Sequence, residues 1–563
     1  MHAGNPCAAD YVVVGSGSAG AVMAARLSEN ADVRVILLEA GSEDNTHLIR
    51  MPAAVGILLD SGRHNWNYST TPQENLANRP ILMPRGKVLG GSSSLNGMVY
   101  IRGHAMDYER WADEGADGWR YAEVLPYFRK LENHASRRDR YHGQDGPVRV
   151  VTGKGTAPLQ QAFLAAGEDA GYCRSDDANG YRQEGFGHFD MNIDNGNRAS
   201  SAYAYLRQAR HRPNLRIVTG AEVFRITTKG SRATGVEAEV GGRLQLFTAD
   251  VEVVICAGAI NSPKILLQSG IGPADHLRKQ GVEVALDHPE VGENLQDHVE
   301  VQLQYRCPDG MSLYRATRPL RKLAIGAEWM LFRRGIAATN HYDVGAFIHS
   351  NPGASHPDIQ LHFLPICFDS TGDRRSVVEG FRIHIGPMRS QSRGTVQLTS
   401  ADPRAPAVIN PRHMASVADW DEMRAAVRLG RDIVAQKSFE GLRYAALSPA
   451  QEAPSDEGIN EFIRDTATTA HHPCGTCRMG NDGRAVVDRQ CRVQGIDGLR
   501  VIDASIMPSI VSGNLNVPTM MIAEKIAAEM MGISLSPDRG APYYRGKPSM
   551  PGPVGTSGKT DAA

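Results

Sequence analysis

Cysteine is scarce: eight in 563 residues, too scattered for a disulfide framework. Neither charge sign is in excess, with 61 lysines and arginines against 62 aspartates and glutamates. That balance argues against nucleic-acid binding and against a wholesale polybasic membrane surface. No run of about 18 apolar residues is present, and no charged-then-apolar leader precedes the first strand pattern near residue 11. The expected location is therefore the cytoplasm, with peripheral attachment to the inner face of the cell membrane and homo-oligomer formation both open. Only Cys474-Gly-Thr-Cys477 has suggestive spacing. His471 and His472 come from the same short turn, with no remote ligand to close a tetrahedron, so no metal is expected. The cysteines read as small residues packed beneath a loop, and a zinc or thiol-redox protein is the alternative.

What the chain does have is an ordinary soluble composition, 41% apolar and 22% charged, and a length that favours two large domains. Near its start stands Tyr11-Val-Val-Val-Gly15-Ser-Gly17-Ser-Ala-Gly20, followed by Glu39. This is a buried strand, a glycine turn, a helix and a second strand. Gly15 permits the turn, Gly17 lets backbone approach a pyrophosphate, and Gly20 allows helix to pack on strand. The helix N-terminus offers free N–H groups to phosphate, and Glu39 sits where a carboxylate can hold a ribose hydroxyl. The pattern predicts dinucleotide binding without choosing between NAD and FAD.

A second glycine-rich segment, Arg85 to Gly97, is placed to return to the cofactor. Tyr121 to Leu131 reads as a helix and 133–147 as a polar loop. Leu215–Val218, Val223–Ile226 and Val251–Ala257 read as strands, the last entering a helix that starts with Pro263 at its first turn. From 299 to 470 alternating strands such as Ile359-Gln-Leu-His-Phe predict an antiparallel sheet, with helices near 318–332 and 416–435. The chain closes with a strand ending at Asp503 and a helix from Thr519 to Met531. The expected fold is α/β with two domains: a Rossmann-like nucleotide domain from 1–155, 206–298 and 471–534, and an inserted antiparallel-sheet domain from 156–205 and 299–470. Residues 535–563, rich in proline and glycine, read as a loose tail.

Four segments closely resemble the glucose–methanol–choline (GMC) oxidoreductase family of FAD-dependent alcohol oxidisers. They are Gly15–Gly20 with Glu39, Gly86-Lys-Val-Leu-Gly-Gly-Ser-Ser-Ser-Leu-Asn96, Gly258 to Gly272, and His472-Pro-Cys-Gly-Thr with Asp503-Ala-Ser-Ile-Met-Pro508. The resemblance runs from about residue 10 to 533 and implies FAD rather than NAD. It implies cofactor contacts from Gly15, Gly17, Ser18, Gly20, Glu39, Ala40, Gly90, Ser92, Asn96, Gly97, Val223, Asp503, Ala504 and Asn514. Within the family the chain is most similar to the choline-oxidising bacterial dehydrogenases, through stretches such as Asn294-Leu-Gln-Asp-His-Val-Glu300 and Thr339-Asn-His-Tyr342.

Oxidising a primary alcohol removes a hydroxyl proton and moves a hydride from carbon to flavin N5, so a positioned base with a pKa near 7 is wanted. The resemblance gives that role to His472, with Asn514 beside the substrate oxygen; neighbouring His471 is the structural alternative. It also sets Glu300 and His362 on the substrate side. From the pattern alone, Glu300 reads as a carboxylate on the wet face of a strand, and His362, sharing a face with Gln360, as a plain hydrogen-bonding residue. Trp66, Tyr342 and Phe363 are candidates for an aromatic cage around a trimethylammonium group. Choline oxidases hold FAD through a histidine where this chain has Leu95, so the flavin is expected to be noncovalent. Gly97 replaces a serine of those oxidases. Both differences favour a dehydrogenase with a quinone-like acceptor. The resemblance implies choline as the substrate and betaine aldehyde as the product, with a second oxidation to glycine betaine through the aldehyde hydrate left open. A dehydrogenase of uncharged aliphatic or polyethoxylated alcohols is the first alternative, and a non-catalytic flavoprotein interaction module the second.

Overall fold

Residues 8–14 and 35–39 are dominated by valine, isoleucine and leucine without polar alternation, the pattern of strands covered on both faces. In the computed structural model, which describes residues 7–351, 353–369, 376–449 and 455–545, they lie at the centre of a seven-stranded sheet. Ala8–Val14 runs between Val35–Glu39 and the end of Arg243–Ile255, with Leu215–Thr219 and Leu499–Val501 outside them, all parallel. Strand Arg243–Ile255 serves twice. Its first half pairs antiparallel with Arg232–Val240, which in turn pairs with Ala221–Lys229. Helices Ser18–Leu27 and Asn516–Met530 pack against each other and share one core with this sheet, through residues such as Val12, Leu37, Val254, Met520 and Ile522.

The second sheet is eight-stranded and built mainly of antiparallel pairs, with Val299–Arg306, Gly380–Pro387, Ile359–Leu364 and Val344–Ile348 in that order. Alternation divides each strand between two environments. Val301, Leu303, Leu361, Phe363, Ile383 and Ile385 face a second hydrophobic core, closed by helix Val417–Ala435 through Met423, Val427 and Ile433. Glu300, Gln302, His362, Arg382 and His384 occupy the other face and line a cavity. The fold is thus α/β with an antiparallel-sheet part, as the sequence predicts.

Several local expectations are corrected. The helix expected to begin at Pro263 spans Gly258–Gln268, with the proline inside it. Proline cannot donate to the carbonyl four residues back; the Thr476 hydroxyl donates to Ala259 O at 2.6 Å instead. The last helix starts at Asn516 rather than Thr519, because Pro518 fits a first turn. Strand Glu132–His134 runs into the segment read as a polar loop, and His142 within that segment joins a buried charged network. There Arg102 pairs with Glu132, and His142 bridges Glu132 at 2.9 Å and Asp177 at 2.7 Å. Residues 535–545 lie along the surface, where Asp538 pairs with Arg129 and Arg140 and Tyr544 N donates to Tyr181 O at 2.8 Å. The rest of the expected tail falls outside the described residues. Among the described residues no helix is long and apolar enough to cross a membrane.

Candidate active site

A cavity of about 1010 Å3 is walled by residues of both sheets. One end is the glycine turn. Gly15 has φ +89°, and a Cβ there would come within 2.7 Å of Cys256 O. A Cβ on Gly20 would meet Gly15 O at 1.8 Å, so the helix packs on the turn only through glycine. Gly17 is different: a Cβ there would meet nothing nearer than 4.0 Å and would stand in the cavity, where a ligand can approach the backbone. No side chain caps the helix that follows Gly17, which leaves its first N–H groups for phosphate. Glu39 is buried and accepts from Ser16 N, Ser16 Oγ and Gly41 N at 2.9, 2.6 and 2.7 Å. A carboxylate has about four acceptor sites, so the turn leaves one for a ligand hydroxyl.

Of the other residues expected at the cofactor, Ser18, Ala40, Ser92, Asn96, Gly97, Val223, Asp503, Ala504 and Asn514 line the cavity. Gly20 and Gly90 do not line it; they shape the backbone behind it. Asp503 joins the start of helix Gly258–Gln268 to its own turn, accepting from Gly258 N at 2.8 Å, Ser262 Oγ at 2.5 Å and Ser505 N at 2.8 Å. Asn516 was not anticipated. Its Oδ1 accepts from Ser18 Oγ at 2.7 Å, while its buried Nδ2 has no protein partner and sits at the cavity wall. An open backbone at Gly17, an uncapped helix start, a spare carboxylate site and an orphaned amide donor together fit FAD. At Leu95 the side chain is buried with Ile49, Leu58 and Val88 and carries no nucleophile for a flavin bond.

At the other end of the cavity a relay of side chains sets the base. His298 Nε2 lies 2.8 Å from Met388 O, which can only accept, so Nε2 carries the proton. Burial lowers the His298 pKa, and its bare Nδ1 accepts from His472 Nδ1 at 2.9 Å. His472 Nε2 is then unprotonated, 3.2 Å from Asn514 Nδ2. Gln360 Nε2 fixes the Asn514 amide by donating to its Oδ1 at 3.3 Å. Burial, followed by the proximity of His298, Arg85, His471 and His362, holds His472 well below the ordinary imidazole value. This is lower than the near-neutral base the chemistry alone asks for, and it keeps the ring neutral. His471 also lines the cavity, with burial and Arg85 lowering its pKa to about 4, but its buried Nδ1 has no hydrogen-bond partner among the described residues.

Two carboxylates hold the frame. Asp297 accepts from His472 N at 2.9 Å and from the Thr469 hydroxyl. Asp107 accepts from Ser512 N at 2.7 Å and Ser512 Oγ at 2.9 Å, two residues before Asn514. Neither was singled out from the sequence.

On the substrate wall, Glu300 is joined by His384 Nδ1 at 2.5 Å. Burial raises the Glu300 carboxyl, but His384, with His362 and His471, brings it net below its usual range. His384 was missed, although Gly380-Phe-Arg-Ile-His shows the alternation that puts it beside Glu300. Tyr342 meets His362 edge-on at 5.7 Å. A Cβ on Gly97 would crowd the Tyr342 ring at 3.2 Å. The His362 ring takes its share of the amide network through Gln360, at 3.2 Å. Trp66 lines the cavity, but its ring stacks on Tyr68 at 5.7 Å and lies under Lys87 at 4.0 Å. Phe363 is no cage member: alternation turns it into the core against Phe163 and Phe381. Cys474 and Cys477 are buried free thiols whose pKa values burial raises.

The family model for GMC oxidoreductases matches residues 9–300 and 390–523. Among curated relatives, an oxygen-dependent choline dehydrogenase of Paraburkholderia phymatum is 49% identical, covering 95% of this chain and 94% of its own length. The mitochondrial choline dehydrogenase of Mus musculus is 47% identical over 95% of this chain and 91% of its own. Among solved structures, pyridoxine 4-oxidase from Mesorbium loti superposes with TM-score 0.84 at 32% identity, covering 93% and 99% of the two chains. A variant of Aspergillus oryzae formate oxidase, described for its FAD modification, gives 0.87 at 26% identity over 94% and 100%.

Proposed function

The chain belongs to the GMC oxidoreductase family, and from that premise we propose that it oxidises choline to betaine aldehyde, and the aldehyde hydrate onward to glycine betaine. The observation that carries this reading is one cavity joining a neutral base, His472 Nε2, to an ionised carboxylate, Glu300, with a dinucleotide cradle at its far end. FAD, held noncovalently there, supplies the acceptor for the hydride leaving the alcohol carbon. His472 takes the hydroxyl proton at Nε2, and His298 steadies the resulting imidazolium by accepting from Nδ1. Asn514 Nδ2 donates to the same oxygen as it becomes anionic. Glu300 faces the trimethylammonium group, and the Tyr342 ring adds cation–π attraction. We assign 1–155, 206–298 and 471–534 to the cofactor and 156–205 and 299–470 to the substrate.

Electrons leave to a quinone-like acceptor, and the protein works in the cytoplasm against the inner face of the cell membrane. Leu95 and Gly97, which depart from the oxidase pattern, support that acceptor. The test of substrate is anaerobic bleaching of the flavin by choline against 3,3-dimethylbutan-1-ol, its uncharged isostere. Fast reduction by choline alone is expected; equal reduction by both points to a general alcohol dehydrogenase. Turnover with a soluble quinone should exceed turnover with oxygen, and the reverse would assign oxygen as the acceptor.

A further inference from the structure

In helix Pro319–Phe332 most of the large apolar side chains point outward. Leu320, Leu323 and Leu331 are 82%, 72% and 74% exposed, and Met330 and Phe332 are 53% and 60% exposed. With exposed Ala324 and Ala327, the leucines and Met330 form one stripe along the helix. The opposite side is pinned by Trp329, which is fully buried and donates from Nε1 to Gly196 O at 2.7 Å. A helix of a water-soluble protein normally has the reverse arrangement. Charge around the stripe is nearly of one sign. Residues 311–336 carry six cations against Glu328, in a chain of net charge −1. Arg334 pairs with Glu328 at 3.3 Å and Arg333 stacks on Trp329 at 4.0 Å, while Arg315, Arg318, Arg321 and Lys322 stand exposed around the helix start.

Exposed apolar surface of this kind marks an interaction site, and its basic border selects an anionic partner. The helix has 14 residues, about 21 Å of length, well short of the ~30 Å hydrocarbon core. It can lie in a membrane interface but cannot span one. We propose that Pro319–Phe332 seats the protein on an anionic phospholipid surface, the stripe entering the acyl boundary and the cations meeting headgroups. The helix stands beside the cavity. The turn before it, Leu313–Thr317, puts Leu313 on the cavity wall, and the turn after it, Ile336–Ala338, packs on Pro52–Ala54, whose Pro52 and Ala53 also line the cavity. Docking therefore brings the cavity to the bilayer in which a lipid-soluble quinone dissolves, and in this the inference rests on the acceptor proposed above.

The test is flotation of the FAD-loaded protein with vesicles of phosphatidylglycerol and phosphatidylcholine in equal parts, and with phosphatidylcholine alone. The wild type should rise with the anionic vesicles and stay behind with the neutral ones. Two variants should rise at least about tenfold less: Leu320→Ser with Leu323→Ser and Leu331→Ser, and Arg318→Glu with Arg321→Glu and Lys322→Glu. Both should keep their FAD and be bleached by choline at the wild-type rate. Failure of the wild type to rise, or equal rising of the variants, overturns the proposal. So does a leucine variant that turns a wild-type dimer into monomers, which would assign the stripe to a second copy of the chain. If choline fails to bleach the wild type, the substrate reading falls while flotation still judges the helix.

Discussion

At His472 the proton has a defined place to arrive. Met388 O fixes the His298 tautomer, His298 fixes His472, and the bare Nε2 is left facing the cavity. Replacing His472 by alanine removes the base while leaving the cradle around Gly17 intact. Flavin reduction by choline should fall by roughly 10²–10⁴-fold, with FAD content unchanged on gel filtration. The pH dependence has a definite sign. Because burial lowers the His472 pKa, the neutral base is present at neutral pH and is lost only as acidity passes below the ordinary imidazole value of about 6.5. The acid limb of kcat/KM for choline should therefore lie below that value, and a limb centred above it would remove His472 from the role. Glu300 carries the second residue-scale prediction. Replacing it by glutamine keeps shape and removes charge, so choline binding should weaken by about 30-fold or more, corresponding to about 2 kcal/mol at a buried ion pair. Binding of 3,3-dimethylbutan-1-ol should be little changed. Equal losses for both ligands would return Glu300 to a purely structural place.

Elements explain why these side chains meet. Along Val299–Arg306, Ile359–Leu364 and Gly380–Pro387 one parity builds a core and the other builds the substrate wall, and register pairs His384 with both Gln302 and His362. The alternation is legible in the sequence. What lies outside the polar face is not, because water and a cavity select similar residues; hence Glu300 reads as wet. Phe363 is a different case, since its parity, opposite to that of His362, already assigns it to the core. The same limit hides the Glu132–His142 network, whose burial depends on Arg102 and Asp177, distant in sequence. Helix Gly258–Gln268 makes the point with energy. Its proline deprives Ala259 O of a donor, and Thr476, over two hundred residues later, supplies one. Thr476→Val should leave that buried carbonyl unpaired and lower stability by about 1–3 kcal/mol, read by denaturant unfolding of the FAD-loaded protein. Unchanged stability would mean that the carbonyl finds another donor.

Across the whole molecule, the cradle is assembled from pieces that are far apart in the chain: Gly15–Ala19, Gly91–Val99, Ala221–Phe224, Cys256–Ile265 and Asp503–Thr519 all reach the same cavity. Asp503 already ties the last of these pieces to Cys256–Ile265, and Asn516 ties it to Ser18, while the orphaned Asn516 Nδ2 leaves a donor for a ligand at the cavity wall. A ligand touching all of them ties the two ends of the chain together, so FAD binding and folding are linked. Because FAD binds the folded chain and not the unfolded one, free FAD at about 100 times its Kd should add about 2.7 kcal/mol to the stability of the stripped protein. Thermal unfolding should therefore move upward with FAD concentration. Leu95 determines the form of the complementary result. With no nucleophile at that position, acid or heat should release the yellow cofactor into the filtrate of the precipitated protein. Colour that stays with the precipitate would reveal a covalent bond from a residue other than Leu95, and a midpoint indifferent to FAD would show that the folded chain does not bind it in preference to the unfolded one.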